Sequence, residues 1–297
     1  MRIFLLVLGC FIISRGIAQT DTLRGHPQKS ESIKTTYIQG TFKTTRLVIG
    51  QSSEIPPMGN ALFLVSHHFG ALNSGYQNLF GLKETATRIG AEYGALNWFG
   101  FGVGLNTYNN TWDGFVKFKI LRQSKGKKKM PVTLSAFAGT AIYTTKWTDT
   151  ERTNYASSRM SYAFQLELAR KFGKWVSLQI MPSLVHKNLV ATKDDHNDIF
   201  TLGAGGSFCV SQKVSFSLEY HHIFPGQVVS TKAYDSFSVG VDILTGGHVF
   251  QIFLTNSTPE FEEAILTETV DQWQTGGIFL GFNISRFFTL YYPKEHH

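Results

Sequence analysis

The ten histidines of this 297-residue chain are the side chains best suited to chemistry, so their spacing is considered first. Hydrolysis by an activated serine needs a histidine beside the serine and a third group that orients the ring. Residues two apart on a strand share a face, but the sequence contains no His-x-Ser pair. Convergence from separate strands stays open for His248 with Ser257 and for His221 with Ser236. We predict a protein that is not an enzyme, with lipid hydrolysis as the enzymatic alternative.

Metal binding is weakly indicated. His67 and His68 are adjacent, as are His221 and His222, so on a strand the two rings of each pair point to opposite faces. The oxygen-rich segment 193–198 lacks the glycine and spacing of a calcium-binding EF-hand, and a solvated acidic turn is the preferred interpretation. We therefore predict no cofactor and no metal site.

The elements that would position such residues are strands, because apolar and polar residues alternate along much of the chain. In segment 214–221, Val, Phe, Leu and Tyr occupy one face, and Ser, Ser, Glu and His occupy the other. Segments 162–169, 236–243 and 277–285 repeat the pattern. Each of these strands should have one apolar face and one polar face.

A closed transmembrane barrel explains this alternation better than a soluble sandwich. Aromatic residues are frequent, with 25 Phe, 11 Tyr and 5 Trp, and many lie near predicted strand ends, as expected for interfacial girdles. The polar faces are rich in glycine, which suits a crowded interior. In lipid the barrel must close, because an open edge leaves backbone groups unpaired. We predict an all-β, antiparallel barrel of about twelve strands, with ten or fourteen also compatible.

The predicted connections alternate in length, as short periplasmic turns and longer outer loops would. Tight turns are expected near residues 96–97, 173, 211–212 and 245–246, and longer loops at 71–84, 146–158, 191–197, 224–233 and 257–275. An even strand number places both ends of the barrel in the periplasm.

Parity along the strands also predicts which polar residues line the lumen. These candidates carry charges of both signs or amide groups: Arg88, Glu92, Asp113, Lys117, Lys119, Glu167, Glu219, His221, Asp242 and Gln251. One interpretation is a network of ion pairs that fills and stiffens a narrow barrel. The other is a polar pathway or pocket for a small solute.

The chain divides into four predicted regions. Residues 1–18 have the basic start, apolar core and small final residue of a cleaved signal peptide. Residues 19–58 are a periplasmic leader whose second part could be a plug or an extra strand. The barrel is predicted for residues 59–290, and a C-terminal tail for 291–297. Without Arg2 and Arg15 of the predicted signal peptide, 26 basic residues face 21 acidic ones, and only Cys209 remains as a cysteine.

Several segments resemble an uncharacterised outer-membrane barrel family, common in Bacteroidota, that is a domain of unknown function. They include residues 78–82, 112–115, 181–186, 245–251 and 281–286. The resemblance spans about residues 41–290 and implies a single barrel domain, but no site residue. The acidic segment 259–263 departs from what the resemblance leads us to expect.

These observations predict a protein of a Gram-negative outer membrane, most simply a porin-like channel or binding barrel for a small solute. A structural or interaction barrel with a packed lumen is the alternative. The expected partners are the lipid bilayer, lipopolysaccharide and the barrel-assembly machinery. The lysine-rich run 125–129 is interpreted as a solvated turn, so no nucleic acid is expected.

Overall fold

The computed structural model describes residues 34–82, 85–147, 150–151 and 153–292. The predicted signal peptide, residues 19–33 of the leader and residues 293–297 of the C-terminal tail lie outside these residues. No helix within the described ranges is long and apolar enough to cross a membrane.

Twelve antiparallel strands form one closed barrel, which confirms the predicted fold class. Each strand pairs with its neighbours in sequence, and the last pairs with the first. The strands are β1 (Asn60–Ala71), β2 (Thr85–Leu96), β3 (Phe99–Asn106), β4 (Thr111–Leu121), β5 (Thr133–Tyr143), β6 (Met160–Phe172), β7 (Val176–Lys187), β8 (Asp198–Cys209), β9 (Val214–Ile223), β10 (Ser236–Thr245), β11 (His248–Thr255) and β12 (Phe279–Thr289).

The alternation in the sequence becomes the two faces of this wall. On β9, Phe216 and Leu218 are exposed on the outside, whereas Ser217 and Glu219 are buried inside. Outward apolar side chains suit contact with lipid, and inward polar groups need partners within the lumen.

The two ends of the barrel differ in their connections. The end with residues 97–98, 122–132, 173–175, 210–213 and 246–247 is called the turn end. The opposite end, called the loop end, has residues 72–84, 107–110, 144–159, 188–197, 224–235 and 256–278. The longest loop is therefore the one between β11 and β12.

Two segments enter the lumen from opposite ends. From the turn end comes the N-terminal insert, residues 41–56, which forms a hairpin over residues 45–52. The hairpin closes by hydrogen bonds from Leu47 N to Gly50 O (2.9 Å) and from Ser52 N to Thr45 O (2.9 Å). From the loop end comes the loop insert, residues 256–278, whose short helix α1 (Glu262–Thr267) is buried throughout.

The two inserts meet inside the barrel. Val48 and Ile49 at the hairpin tip share an apolar cluster with Phe253 of the wall and Ile265 of α1. Beside it, Gln51 Nε2 donates to Glu262 Oε2 at 3.3 Å. The lumen is thus occupied along its middle by the chain's own residues.

Candidate functional site

The tip of the lumen hairpin is held by one carboxylate. Val48 N, Ile49 N and Gly50 N all donate to the Glu219 carboxylate, at 2.8, 3.2 and 3.1 Å for their shortest contacts. Consecutive amides that converge in this way form an anion-binding concavity. His221 Nε2 lies 2.6 Å from Glu219 Oε1 and fixes the same carboxylate from the wall.

Glycine is required at position 50 by close approach. A Cβ built on Gly50 would lie 2.3 Å from Glu219 Oε1. Any side chain there would push the carboxylate away from the amides. Gly50 is the smallest residue of the hairpin tip, and it lies where the Glu219 carboxylate approaches the backbone.

Other wall side chains bond to the flanks of the hairpin. Lys117 Nζ donates to Gln51 Oε1 at 2.8 Å and to Ser52 O at 2.6 Å. Gln179 accepts from Ser53 N at 2.8 Å and donates to Gln51 O at 2.9 Å. These bonds satisfy backbone groups that have no strand partner, which burial would otherwise penalise.

The opposite side of the hairpin is held in the same manner. Asn283 Nδ2 donates to Val48 O at 2.9 Å, and Gln251 Nε2 donates to Leu47 O at 3.3 Å. Gln251 Nε2 also donates to Asp242 Oδ1 at 2.9 Å, which ties this contact to the wall. Polar contacts thus hold the hairpin on both sides, beside the apolar contacts that Leu47, Val48 and Ile49 make with the wall.

Charges of both signs surround the place where the inserts meet. Arg88 binds Asp113 through two parallel contacts, Nε to Oδ1 at 2.9 Å and Nη2 to Oδ2 at 2.5 Å. The hairpin's Arg46 lies 3.6 Å from Glu92. Such buried ion pairs add little to the free energy of folding, because the cost of desolvating the two charges offsets their attraction. Their main effect is to favour one arrangement of the side chains.

Lys117 adds a third link to this centre, since its Nζ lies 3.4 Å from Glu167 Oε1. At the turn end, Lys119 Nζ donates to Glu54 Oε2 at 2.6 Å and so holds the base of the N-terminal insert. Both lysines come from β4, and both bind the insert.

The loop insert is fixed by acidic residues of its own. Glu260 Oε1 lies 2.5 Å from His68 Nδ1. Glu268 accepts from Tyr108 OH at 3.2 Å, Tyr143 OH at 2.9 Å and Lys187 Nζ at 2.8 Å. Burial and the neighbouring Glu268 raise the pKa of the Tyr108 hydroxyl, so this hydroxyl stays a donor.

Asp195 joins two outer loops at the loop end. Its carboxylate accepts from Ser230 N at 2.9 Å and Val229 N at 2.7 Å, and from both the N and the Oγ1 of Thr192 at 2.9 Å. The hydrogen bonds from Ser230 and Val229 lower the pKa of Asp195 despite some opposing desolvation. The solvated turn expected for this segment is wrong for Asp195, which is 8% exposed.

Space remains on either side of the occupied centre. At the loop end, a cavity of about 330 Å³ is bordered by Tyr108, Lys187 and Glu268. At the turn end, a cavity of about 380 Å³ is bordered by Phe42, Glu54 and Lys119. The two inserts separate these vestibules.

All ten lumen candidates lie on the inner face of the wall, and each of them pairs with the N-terminal insert or with another candidate. Lys117, Lys119, Glu219 and Gln251 contact the N-terminal insert, and Arg88 binds Asp113. The other four are buried at 4% exposure or less: Glu92 pairs with Arg46 of the insert, Glu167 with Lys117, His221 with Glu219 and Asp242 with Gln251. A role in contacting a solute stays a prediction for all ten.

Of the two proposed serine–histidine pairs, His248 and Ser257 are far apart, whereas His221 and Ser236 are neighbours without a hydrogen bond between them. His248 begins β11 at the turn end, beside Arg286 (Nη1 to Nε2 3.4 Å), whereas Ser257 follows the far end of that strand. A Cβ on Gly203 of β8 would lie 2.5 Å from His221 Nδ1, so this nitrogen faces β8. Ser236 lies on β10 directly opposite His221, so the two residues are cross-strand partners, but no hydrogen bond joins them among the described residues.

The alternation of inward and outward residues along the strands could have identified further lumen residues. Gln179, Asn283 and His68 alternate with outward apolar neighbours in the same way as the predicted ten. Arg46, Gln51 and Glu262 could not be found by parity, because they lie on the inserts and not on strands. For the loop insert, the signal is the apolar spacing of Phe261, Ala264 and Ile265 within an acidic loop.

Comparison with known proteins gives a family match. A family model described as a membrane bound beta barrel domain (DUF5777) matches residues 42–288. No curated protein sequence matches the chain.

Solved structures with a similar fold share little sequence with it. The NanC porin has a TM-score of 0.48 and 10% identity, with 76% of this chain and 97% of that chain covered. The KdgM porin has a TM-score of 0.43 and 9% identity, with 78% and 99% covered. An active-site mutant of outer membrane phospholipase A from Escherichia coli has a TM-score of 0.43 and 9% identity, with 80% and 92% covered. At these values, no function is transferred.

Proposed function

We propose that this chain, which belongs to the family of membrane bound beta barrel domains (DUF5777), is a plugged barrel for a small polar solute. In this proposal the N-terminal insert closes the lumen and its withdrawal opens it. The observation that carries the proposal is the polar contact between hairpin and wall, centred on the three amides that bind Glu219.

The chemistry of that contact supports a removable plug. Separating two apolar surfaces exposes both to water, at a cost of roughly 25 cal/mol per Å². Separating Glu219, Lys117 and Gln179 from the hairpin instead exposes groups that water hydrates well. The wall left behind would be lined by charges and amides, which suits a polar solute and not a lipid chain.

A structural or interaction barrel with a permanently packed lumen is the second candidate. It is favoured by the loop insert, because α1 reaches the hairpin tip. The helix would therefore block the path through the lumen even without the hairpin. The contact between Gln51 and Glu262, and the shared cluster around Ile265, make the two inserts one unit.

We place the barrel in the outer membrane of a Gram-negative bacterium. Its outward apolar wall and closed antiparallel sheet support a lipid bilayer as its surroundings. A Bacteroidota origin, contact with lipopolysaccharide and delivery by the barrel-assembly machinery stay predictions, as does the removal of residues 1–18.

Single-channel recording separates the two candidates. The full chain, refolded in a planar bilayer, should show rare or no openings. A variant without residues 41–56 should conduct, and a further variant that also replaces residues 257–271 with a short Gly-Ser linker should conduct more. Heat-modifiable migration on gels checks that each variant still forms a barrel.

Two outcomes contradict the plugged-barrel proposal. Silence of both folded deletion variants would favour the packed structural barrel. Steady conductance by the full chain, equal to that of the variants, would mean that the N-terminal insert does not close the lumen.

A further inference from the structure

One sector of the turn end carries a dense positive charge. The turn 122–132 and the turn 173–175 are adjacent because β5 pairs with β6, and Gln123 and Lys171 bond across them (Gln123 Nε2 to Lys171 O 3.0 Å). We call the positive side chains of this sector the basic rim: Arg122, Lys125, Lys127, Lys128, Lys129, Arg170 and Lys174.

The segments that carry the basic rim have no acidic residue of their own, and Glu54, which borders the same cavity as Arg122, is paired with Lys119. Residues 122–132 and 169–177 contain no Asp or Glu. Among the described residues, none of the seven side chains forms an ion pair. The fields of these charges therefore add, and an anion nearby would be attracted.

Arg170 shows which anion suits the site. It lies on the lipid-facing side of β6, in line with Leu168 and Phe172, and its guanidinium stands over the Phe172 ring at 4.8 Å. Arg170 is half-buried, so its charged group stays on the outer wall beside apolar side chains, at a depth where lipid headgroups supply acceptors.

The next turn repeats this pairing of a cation with an aromatic ring. Lys174 Nζ lies 4.6 Å from the centre of the Trp175 ring, and both side chains are exposed. Aromatic residues of this kind mark the interface between hydrocarbon and headgroups. The basic side chains thus lie at the level where lipid phosphates are found.

We propose that the basic rim is a binding site for anionic phospholipid in the leaflet at the turn end. Arg170 and Lys174 contact the phosphate from the side of the barrel. The lysines of turn 122–132, at the turn end, add electrostatic attraction. Clusters of four to eight basic residues beside a membrane bind anionic lipids in this way. This inference needs only the barrel and its lipid face, and it holds whether or not the lumen conducts.

Native mass spectrometry of the full chain tests the proposal. The protein is released from micelles that contain equal amounts of phosphatidylglycerol and phosphatidylethanolamine, and the bound lipids are counted. The wild type should retain phosphatidylglycerol preferentially. Each charge removed should reduce that preference about fivefold, so Arg170→Gln with Lys174→Gln should nearly abolish it.

Control variants distinguish a specific lipid site from a general effect of the protein's positive charge. Lys193→Gln removes one charge in an outer loop and should leave the preference unchanged. Arg170→Lys keeps the charge and should retain most of the binding, and gel migration checks folding of each variant. Raising the salt to about 1 M, where the screening length falls to about 3 Å, should weaken binding.

Several results would overturn the proposal. These are equal retention of the two lipids by the wild type, an undiminished preference in the double variant, or an equal loss in Lys193→Gln. Displacement of the bound lipid by millimolar glycerol phosphate would assign the rim to soluble phosphates and not to a membrane lipid.

Discussion

Glu219 illustrates how one wall residue can hold a segment that has no strand partner. Three consecutive amides of the hairpin tip point at its carboxylate, and His221 fixes it from behind. The strand pattern predicts that Glu219 faces inward. It cannot predict the hairpin, because the amides belong to residues about 170 positions earlier in the chain.

Replacing Glu219 with Gln should loosen the hairpin without unfolding the barrel. The neutral amide keeps the shape but places a donor where the three backbone amides need acceptors. An unsatisfied buried group costs about 2 kcal/mol, or roughly thirtyfold in local opening. Hydrogen exchange of residues 48–50 should accelerate by about that factor.

Asp113→Asn is the matched control for this measurement. Asp113 lies on the same inner wall and accepts from Arg88, and no hydrogen bond joins it to the hairpin among the described residues. Exchange at residues 48–50 should change little. Equal acceleration in both variants would show that the Glu219 contact is not specific.

Asp195 gives a prediction about pH. Its pKa lies below the ordinary value of about 3.9, chiefly because Ser230 N and Val229 N donate to the carboxylate. The link between the loops is therefore fully present above that ordinary value, and it is lost as the pH falls through the lower folded value. Between pH 7 and 5 the two loops should resist protease equally well.

A substitution of Asp195 tests the link between the two loops at neutral pH. Asp195→Asn should expose residues 188–197 and 224–235 to protease at pH 7, because its amide nitrogen cannot accept from Thr192 or Val229. The neighbouring Asp194 is exposed, and Asp194→Asn should leave cleavage unchanged. Equal sensitivity of the two variants would count against the link.

Among the elements, the strands were predictable and the inserts were not. β9 has a local signal, since apolar and polar residues alternate without a break from Val214 to His221. The hairpin has only a short apolar run, Leu47 to Ile49, which is also compatible with an extra strand. Its burial depends on Lys117, Gln179 and Asn283, which come from three distant strands.

The loop insert was harder still to predict. Acidic residues are normally solvated, so residues 259–263 suggest an exposed loop. Within this segment His68 pairs with Glu260 and Gln51 donates to Glu262, and further along the loop two tyrosines and Lys187 hold Glu268. Such partners are brought together only when the barrel closes.

The loop insert should open locally when its apolar contact is reduced. Leu266 of α1 is 4% exposed and packs with Phe137, Val185 and Ile199 of the wall. Leu266→Ala should cost about 2–5 kcal/mol, and protease should then cut within residues 256–276 while the barrel stays heat-modifiable. Val270→Ala, at an exposed site of the same loop, is the control. Unchanged cleavage of Leu266→Ala would mean that α1 is held by its polar contacts alone.

At the scale of the whole molecule, the central claim is that the N-terminal insert occupies the lumen in the membrane. Thr44 Oγ1 of the insert and Ser285 Oγ of β12 lie 3.3 Å apart, both buried. Two cysteines at these positions would be close enough to join by a disulfide.

The most direct measurement is therefore oxidative cross-linking in lipid vesicles. The variant carries Thr44→Cys and Ser285→Cys in a Cys209→Ser background, and peptide mapping measures the yield of the bond. The account predicts nearly complete cross-linking, and almost none for the control pair Thr44→Cys with Ser161→Cys, whose wall residue lies near the loop end of β6. No bond between positions 44 and 285 in a correctly folded barrel would contradict it.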